Sequence, residues 1–292
     1  MKPIRRSSVQ LSTVWLCLLL PLLAAGACKR AEPEPAPAPP PAEPAPAPEP
    51  APPPAEDKLV VFAAASLREV FGGLGEEFKR AHSGLELTFN FAGTQELRTQ
   101  LEQGASVDVF ASADQRHMDE LVKAGRASGP VIFARNEPVV VVAKEQVAKV
   151  KSFEDLPKLK RIVIGTPEVP IGRYTGQILD KANEKLGKDF KKKVEANVVS
   201  RELNVKQVLA KVTLGEADAG IVYRTDTLTV KDQAGVVAIP AELNVIAEYP
   251  IAKVSDAAHP KLAQAWLDLV LSQTGQDRLK AAGFLSPAQA AP

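Results

Sequence analysis

Lys58-Leu59-Val60-Val61-Phe62-Ala63-Ala64-Ala65-Ser66-Leu67 decides how this chain is read. An apolar run rich in β-formers ends in three alanines, and a serine then opens an amphipathic helical pattern. Such a run reads as a buried strand, and Ser66 stands where a helix N-cap belongs. Small residues at a strand-to-helix turn let a ligand approach the backbone. The first N–H groups of the helix lack partners and carry partial positive charge, which suits an anion. Two readings fit this turn alone: an ordinary capping serine, or a donor in an anion site.

Working outward, strand and helix signals alternate. Leu59–Phe62, Leu85–Phe91, Val107–Phe110, Val139–Ala143, Arg161–Ile164, Val194–Val199, Ala219–Val222 and Ile251–Val254 read as strands. Ser66–Ala81, Thr94–Gln103, Asp114–Ala124, Ile171–Leu186, Asn204–Leu214, His259–Leu271 and Thr274–Ala281 read as helices. This alternation predicts an α/β fold with mainly parallel sheets flanked by helices. The length exceeds one typical domain, so two lobes are expected. The long extended segments near Asn136–Ala143 and Glu248–Val254 are read as the crossings between them. Lobe 1 is then residues 58–136 plus 249–286, lobe 2 is residues 137–248, and residues 287–292 are a tail. A paired hinge of this kind forms a cleft that closes on ligands.

Upstream, Lys2, Arg5 and Arg6 precede a short apolar run from Val14 to Leu23, then Ala24-Ala25-Gly26-Ala27 and Cys28. The run is short for a membrane span and reads as a secretory signal over residues 1–28. The cysteine after small residues resembles a bacterial lipoprotein cleavage site, which would make Cys28 the lipidated N-terminus. Ala25 departs from the larger aliphatic residue usual in that motif, and a plain signal cut near Ala27 is the other reading. Residues 29–57 alternate Pro, Ala and Glu with no larger hydrophobe, a composition for an extended tether of some tens of Å. The only cysteines, Cys17 and Cys28, precede the fold, so no disulfide is expected in it. Well over 200 residues remain, enough to bury a core without staples. Net charge is +1 for the whole chain and −2 without the three basic residues of the leader, and no basic tract points to nucleic acid.

In open sheets, ligands sit at the carboxyl ends of parallel strands. The residues at those turns are Ser66; Gly93-Thr94-Gln95 with Thr94 as cap; Pro170-Ile171-Gly172; Asn204-Val205 with Asn204 as cap; and Tyr223 after Gly220-Ile221-Val222. All are hydrogen-bond donors without formal charge. Hydroxyls, helix-start amides and a phenol suit a fully deprotonated oxyanion, which only accepts hydrogen bonds.

Phe62-Ala63-Ala64-Ala65-Ser66-Leu67, Asp108-Val109-Phe110-Ala111-Ser112-Ala113-Asp114, Pro167-Glu168-Val169-Pro170-Ile171-Gly172-Arg173-Tyr174, Asn204-Val205-Lys206-Gln207-Val208-Leu209 and Gly220-Ile221-Val222-Tyr223 occur in order. Together they resemble the molybdate-binding proteins of bacterial ABC importers over about residues 58–285. The resemblance implies a two-lobed, type II periplasmic-binding-protein fold holding molybdate or tungstate between the lobes. It implies a periplasmic or cell-surface protein, expected to be monomeric, with an inner-membrane permease as partner, no cofactor and no metal held by side chains directly; the lipid anchor is expected from the leader and Cys28. The family's two serines fall on Ser66 and Thr94, its backbone donors on Ile171 and Val205, and its tyrosine on Tyr223. Thr94 adds a methyl to the usual serine, and Ile171 replaces a small residue.

An enzyme is disfavoured. Ser66 has no Gly-x-Ser-x-Gly elbow and no following Ser-x-x-Lys. His82, His117 and His259 lack metal-ligand spacing and are read as solvated surface residues. Asp108 is read as bonding backbone and Asp114 as capping the next helix. Gly72-Gly73-Leu74-Gly75 falls inside a helical pattern, not after a strand, so no dinucleotide loop is inferred. A ferric-ion carrier would want neighbouring tyrosines, and Tyr174, Tyr223 and Tyr249 are not adjacent. Sulfate, also a tetrahedral dianion, is the nearest alternative ligand.

Overall fold

The computed structural model describes residues 58–288; the signal segment, Cys28 and the Pro-rich tether lie outside the described residues. The first part of the chain runs β1 (Lys58–Ala64), α1 (Arg68–Ala81), β2 (Glu86–Ala92), α2 (Thr94–Glu102), β3 (Val109–Ala111), α3 (Gln115–Lys123) and β4 (Ala127–Asn136). The middle part runs β5 (Pro138–Ala143), β6 (Ile162–Gly165), α4 (Pro170–Lys185), α5 (Phe190–Ala196), β7 (Val198–Glu202), α6 (Val205–Thr213), β8 (Ala219–Tyr223), α7 (Arg224–Thr227) and β9 (Ala234–Ala238). The chain then returns through β10 (Ala247–Val254), α8 (Pro260–Leu271) and α9 (Gln273–Ala281).

Two five-stranded sheets result, in the orders β2-β1-β3-β10-β4 and β7-β6-β8-β5-β9. The alternation of β1 sends Leu59, Val61 and Ala63 to one face, where Phe71, Phe133 and Trp266 gather. Phe62 points the other way, into a cluster with Leu97, Leu101, Phe110, Met118 and Leu121 from α2, β3 and α3. Both faces of the strand are therefore covered, which is why its sequence is a near-continuous apolar run. Trp266 packs edge-on against Phe71 and Phe78 at centroid distances of 5.3 and 5.4 Å. Such pairs contribute about 0.5–1.5 kcal/mol each beyond the area they bury.

The sheets are mixed rather than mainly parallel. β1 pairs in parallel with β2 and β3, and β6 with β7 and β8. The strands next to the crossings run the other way: β10 is antiparallel to β3 and β4, and β5 to β8 and β9. A strand that enters a sheet from the neighbouring lobe needs no crossover helix, so the direction imposed by βαβ units does not apply to it. The first crossing is a single residue, Glu137, between β4 and β5. The second lies in residues 239–246, slightly earlier than the sequence suggested, because Ala247 and Glu248 already pair with Asn136 and Arg135.

Three local readings differ. β4 and β9 are absent from the sequence reading: neither alternates cleanly, and β4 carries Gly129-Pro130 in its exposed half. Residues 194–196 are helical, not extended. Phe190 and Val194, one turn apart, bury one side of α5, and the Phe190 ring stacks on Phe153 at 5.4 Å.

Polar contacts join the two halves around the cleft. Gln95 Nε2 donates to the Leu203 carbonyl (2.7 Å), Arg173 Nε to Asp114 Oδ2 (3.2 Å), and Arg116 Nη2 to the Glu168 carbonyl (3.0 Å). Lys206 Nζ reaches Glu69 across the cleft at 2.9 Å and the buried Asp226 on its own side at 3.1 Å. Burial pushes the Asp226 carboxyl above the ordinary aspartate range, and Lys206 pulls it back. Replacing Lys206 by Met leaves Asp226 without its cation. The expected loss in urea unfolding is about 3 kcal/mol, at the low end for a broken buried pair because the carboxyl can take up a proton. Adding Asp226→Asn should restore most of it.

Candidate functional site

The five residues singled out from sequence line one cavity, with Ala64, Ala65, Ala92, Gly93 and Ala113 as its small-residue wall on the first-sheet side. No Lys, Arg, Asp or Glu is among its lining residues. The space open to the centre of a water-sized oxygen is about 20 Å³. As a sphere this has a radius of roughly 1.7 Å, room for four oxygens around one central atom and too little for a sugar or an amino acid.

Each lining donor is set there by its element. β1 ends in Ala63-Ala64, and a 3₁₀ turn over Ala65–Leu67 precedes α1. Ser66 sits inside that turn, so it is not the cap the sequence suggested: Ala64 precedes the turn, and Leu67 precedes α1. Its hydroxyl instead lies 2.9 Å from the phenol of Tyr249. Thr94 is the first residue of α2, with Gly93 as the cap; its Oγ1 accepts from the backbone N–H of Ala113 at 3.2 Å. The Thr94 hydrogen is then free to face the cavity.

The second half supplies backbone donors. α4 opens with Pro170, whose missing N–H would have been unpaired in any case. Gly172 lets that helix start sit directly on the β6 turn: a Cβ there would lie 1.9 Å from the Thr166 carbonyl. This close seat carries the Ile171 amide to the cavity. α6 opens with Val205, capped as expected by Asn204, which accepts from the Gln207 N–H at 3.1 Å. First-turn amides have no carbonyl partner within their own helix, so both remain donors. Helix starts from both halves therefore converge, each favouring negative charge by roughly 0.3–1 kcal/mol and more when partly buried.

Tyr223 ends β8 and caps α7, where its N–H bonds to Asp226 Oδ2 at 3.2 Å. Its phenol is buried and finds no hydrogen-bond partner among the described residues. An orphan buried O–H costs about 1–3 kcal/mol, so its presence at a cavity wall points to a ligand acceptor. Burial, with a smaller contribution from Tyr249, pushes its pKa well above 10 and keeps the proton in place.

Other expectations divide. Asp108 bonds backbone, accepting from Val60 and His259 N–H at 2.8 and 2.9 Å, and Asp114 caps α3. Gly72, Gly73 and Gly75 lie within α1. His117 is not a surface residue: it is buried, and its Nε2 donates to the Glu168 carbonyl across the cleft at 2.9 Å. Desolvation lowers its pKa below the usual 6.5 against the pull of Asp114. The sequence reading missed Tyr249 and Asn136 behind Ser66. Asn136 ends β4 and Tyr249 lies within β10, paired strands beside the crossings, where neither a turn nor a motif marks them.

Two outcomes follow from this geometry. Gly93 has an ordinary φ of −61°, yet a Cβ on it would lie 2.3 Å from the Leu203 carbonyl of the opposite half. Gly93→Ala should therefore leave thermal stability within about 1 kcal/mol while weakening ligand affinity at least about tenfold, read by calorimetry. All three tyrosines, Tyr174, Tyr223 and Tyr249, have pKa values raised chiefly by burial. A phenol raised in the fold contributes stability that is full below about pH 10 and is lost as pH rises through its folded value. Absorbance titration should show no phenolate below pH 10 and then joint appearance of all three with alkaline unfolding; one phenol titrating earlier would contradict the closed site.

Comparison with known proteins agrees with this architecture. A family model described as bacterial extracellular solute-binding protein matches residues 59–285. The molybdate-binding protein ModA of Mycobacterium tuberculosis is 41% identical over 232 residues, covering 78% of this chain and 85% of that protein. Among solved structures, the Azotobacter vinelandii periplasmic molybdate-binding protein superposes with a TM-score of 0.66 at 20% identity, covering 78% of this chain and 99% of that one. The sulfate-binding protein SubI of M. tuberculosis gives 0.70 at 17% identity, with 80% and 88% covered. These two likenesses establish the two-lobed fold alone. With its fold and nearly all of its described residues accounted for, this chain belongs to the bacterial extracellular solute-binding protein family.

Proposed function

We propose that this protein is the extracytoplasmic solute-binding component of an ABC importer, capturing molybdate or tungstate between two lobes and delivering it to a membrane permease. The observation that carries the reading is the cavity itself: neutral donors from both halves around room for one small tetrahedral oxyanion. The 41% identity to a curated molybdate-binding protein supports the same ligand. Ser66, Thr94 and Tyr223 donate through hydroxyls, and Ile171 and Val205 through backbone amides. A hydrogen bond to a charged acceptor is worth about 1.5–3 kcal/mol, and neutral donors avoid leaving a buried cation unpaired before the ligand arrives.

In this reading residues 58–136 with 249–286 form one jaw and residues 137–248 the other. Contacts made by both jaws favour closure by no more than the ligand's differential affinity for the closed form. The protein acts as a monomer without cofactor, its metal arriving wrapped in oxygens, and it carries out no reaction. Cys28 carries the lipid that holds it at the membrane, with residues 29–57 as the tether, on the periplasmic side or at the cell surface. A ferric ligand is disfavoured because Tyr223 is the only tyrosine at the cavity and burial keeps it protonated. Sulfate satisfies the same donors, and its shorter bonds to oxygen leave it the looser fit.

Calorimetric titration with molybdate, tungstate, sulfate and phosphate is the test. Molybdate and tungstate should bind tightly, sulfate more weakly and phosphate weakest; no heat with the first two would refute the assignment. Ser66→Ala should cost about 1.5–3 kcal/mol of affinity, and an unchanged affinity would remove Ser66 from the ligand shell.

A further inference from the structure

We propose that Tyr249 and Asn136, outside the cavity wall, are positioning residues that fix Ser66 as a one-way donor to the ligand. The inference rests on the oxyanion reading and extends it to the hinge.

The direction of each hydrogen bond follows from which groups can only donate. The backbone N–H of Glu137 points at Asn136 Oδ1 at 2.9 Å. An N–H cannot accept, so the Asn136 amide is oriented with its oxygen there and its NH₂ on the opposite side. That NH₂ donates to Thr225 Oγ1 at 2.9 Å and, at a longer 3.4 Å, to the phenolic oxygen of Tyr249. With its oxygen accepting from Asn136, the Tyr249 O–H has one direction left, toward Ser66 Oγ at 2.9 Å. Ser66 then accepts from behind and turns its own hydrogen to the cavity.

The reverse arrangement fails on the same accounting. If Ser66 donated to Tyr249, the phenol hydrogen would meet the Asn136 NH₂, and Ser66 would present lone pairs to an anion. Both Asn136 and Tyr249 are fully buried, so no solvent can rescue that arrangement. Burial also holds Tyr249 protonated well beyond pH 10, so the chain of donors persists through neutral pH. Thr94 is handled the same way by the Ala113 N–H. The cavity's side-chain hydroxyls are thus preset as donors, which disfavours an oxyanion still carrying a proton.

The placement matters as well. Asn136 is the last residue of β4 before the first crossing, and Ala247 opposite it opens β10, the strand that carries Tyr249. Thr225, its other acceptor, belongs to the helix that follows Tyr223. One amide therefore touches both strands of the hinge and the element that aims the phenol of the other lobe.

The test is a double-mutant cycle on the full protein, with molybdate as probe and hydrogen phosphate at pH 8 as the proton-bearing competitor. Tyr249→Phe should weaken molybdate binding about five- to tenfold and narrow the preference for molybdate over hydrogen phosphate. In a Ser66→Ala background the same change should have little further effect, because Tyr249 acts through Ser66. Asn136→Asp, nearly isosteric, replaces the NH₂ that faces Tyr249 with an acceptor oxygen, the other staying on the Glu137 N–H, and so pulls the phenol hydrogen away from Ser66; its effect should shrink likewise when Ser66 is absent. Additive losses in both cycles, or unchanged affinity and selectivity in a folded Tyr249→Phe protein, would overturn the relay. If Tyr249→Phe does not fold, the Asn136→Asp cycle decides alone. Wild-type protein that binds neither molybdate nor tungstate would instead sink the oxyanion reading on which the relay stands.

Discussion

The constraint on which this structure depends is that several helix starts and hydroxyls must meet around a cavity of about 20 Å³ without a formal charge among them. Donors of that kind are weak singly and cannot be crowded together by attraction, because their partial charges repel. The fold supplies the crowding instead. Strand–turn–helix units end at the same edge of each sheet, and small residues at the turns let the backbones approach. Ala63, Ala64 and Ala65 do this in one half. Gly172, with no room for a Cβ against Thr166, does it in the other.

Closure of the two halves is held by contacts that are individually modest. Gln95 to Leu203, Arg173 to Asp114, Arg116 and His117 to Glu168, and Lys206 to Glu69 ring the cavity. The hydrogen bonds to the Leu203 and Glu168 carbonyls contribute about 0.5–1.5 kcal/mol each, and the partly exposed Lys206–Glu69 pair about 0–1 kcal/mol. In the proposed capture cycle, a ring of weak contacts would let a ligand touching both halves shift the balance between open and closed forms. Only short segments link the halves: Glu137 between β4 and β5, and residues 239–246 between β9 and β10. Two buried carboxylates are the exceptions: Asp114, paired across the cleft with Arg173, and Asp226, which Lys206 compensates from within its own half while also bridging the cleft.

The sequence and the structure part company in instructive places. The apolar runs at Leu59–Phe62, Val139–Ala143 and Ala219–Val222 were legible because strands covered on both faces leave uninterrupted hydrophobic stretches. β4 and β9 were not, since their partly exposed residues show neither alternation nor a solid run. His117 looked like a surface histidine because burial by the opposite lobe leaves no local signature. Ser66 looked like a cap because serine before a helical pattern usually is one. Its hydroxyl is drawn to Tyr249, 183 residues away, and only packing brings that phenol near.

The residue types at the turns, all donors and none charged, were readable from the sequence, and with them the class of ligand they suit. Helix caps, apolar runs and small turns are local, and local physics acts between neighbours in the chain. What the tertiary structure alone decided was direction: which sheet strands run against their neighbours, which glycine faces the other lobe, and which way each hydroxyl points. Direction depends on groups far apart in sequence, because a hydroxyl's proton goes wherever the remaining partners leave room for it.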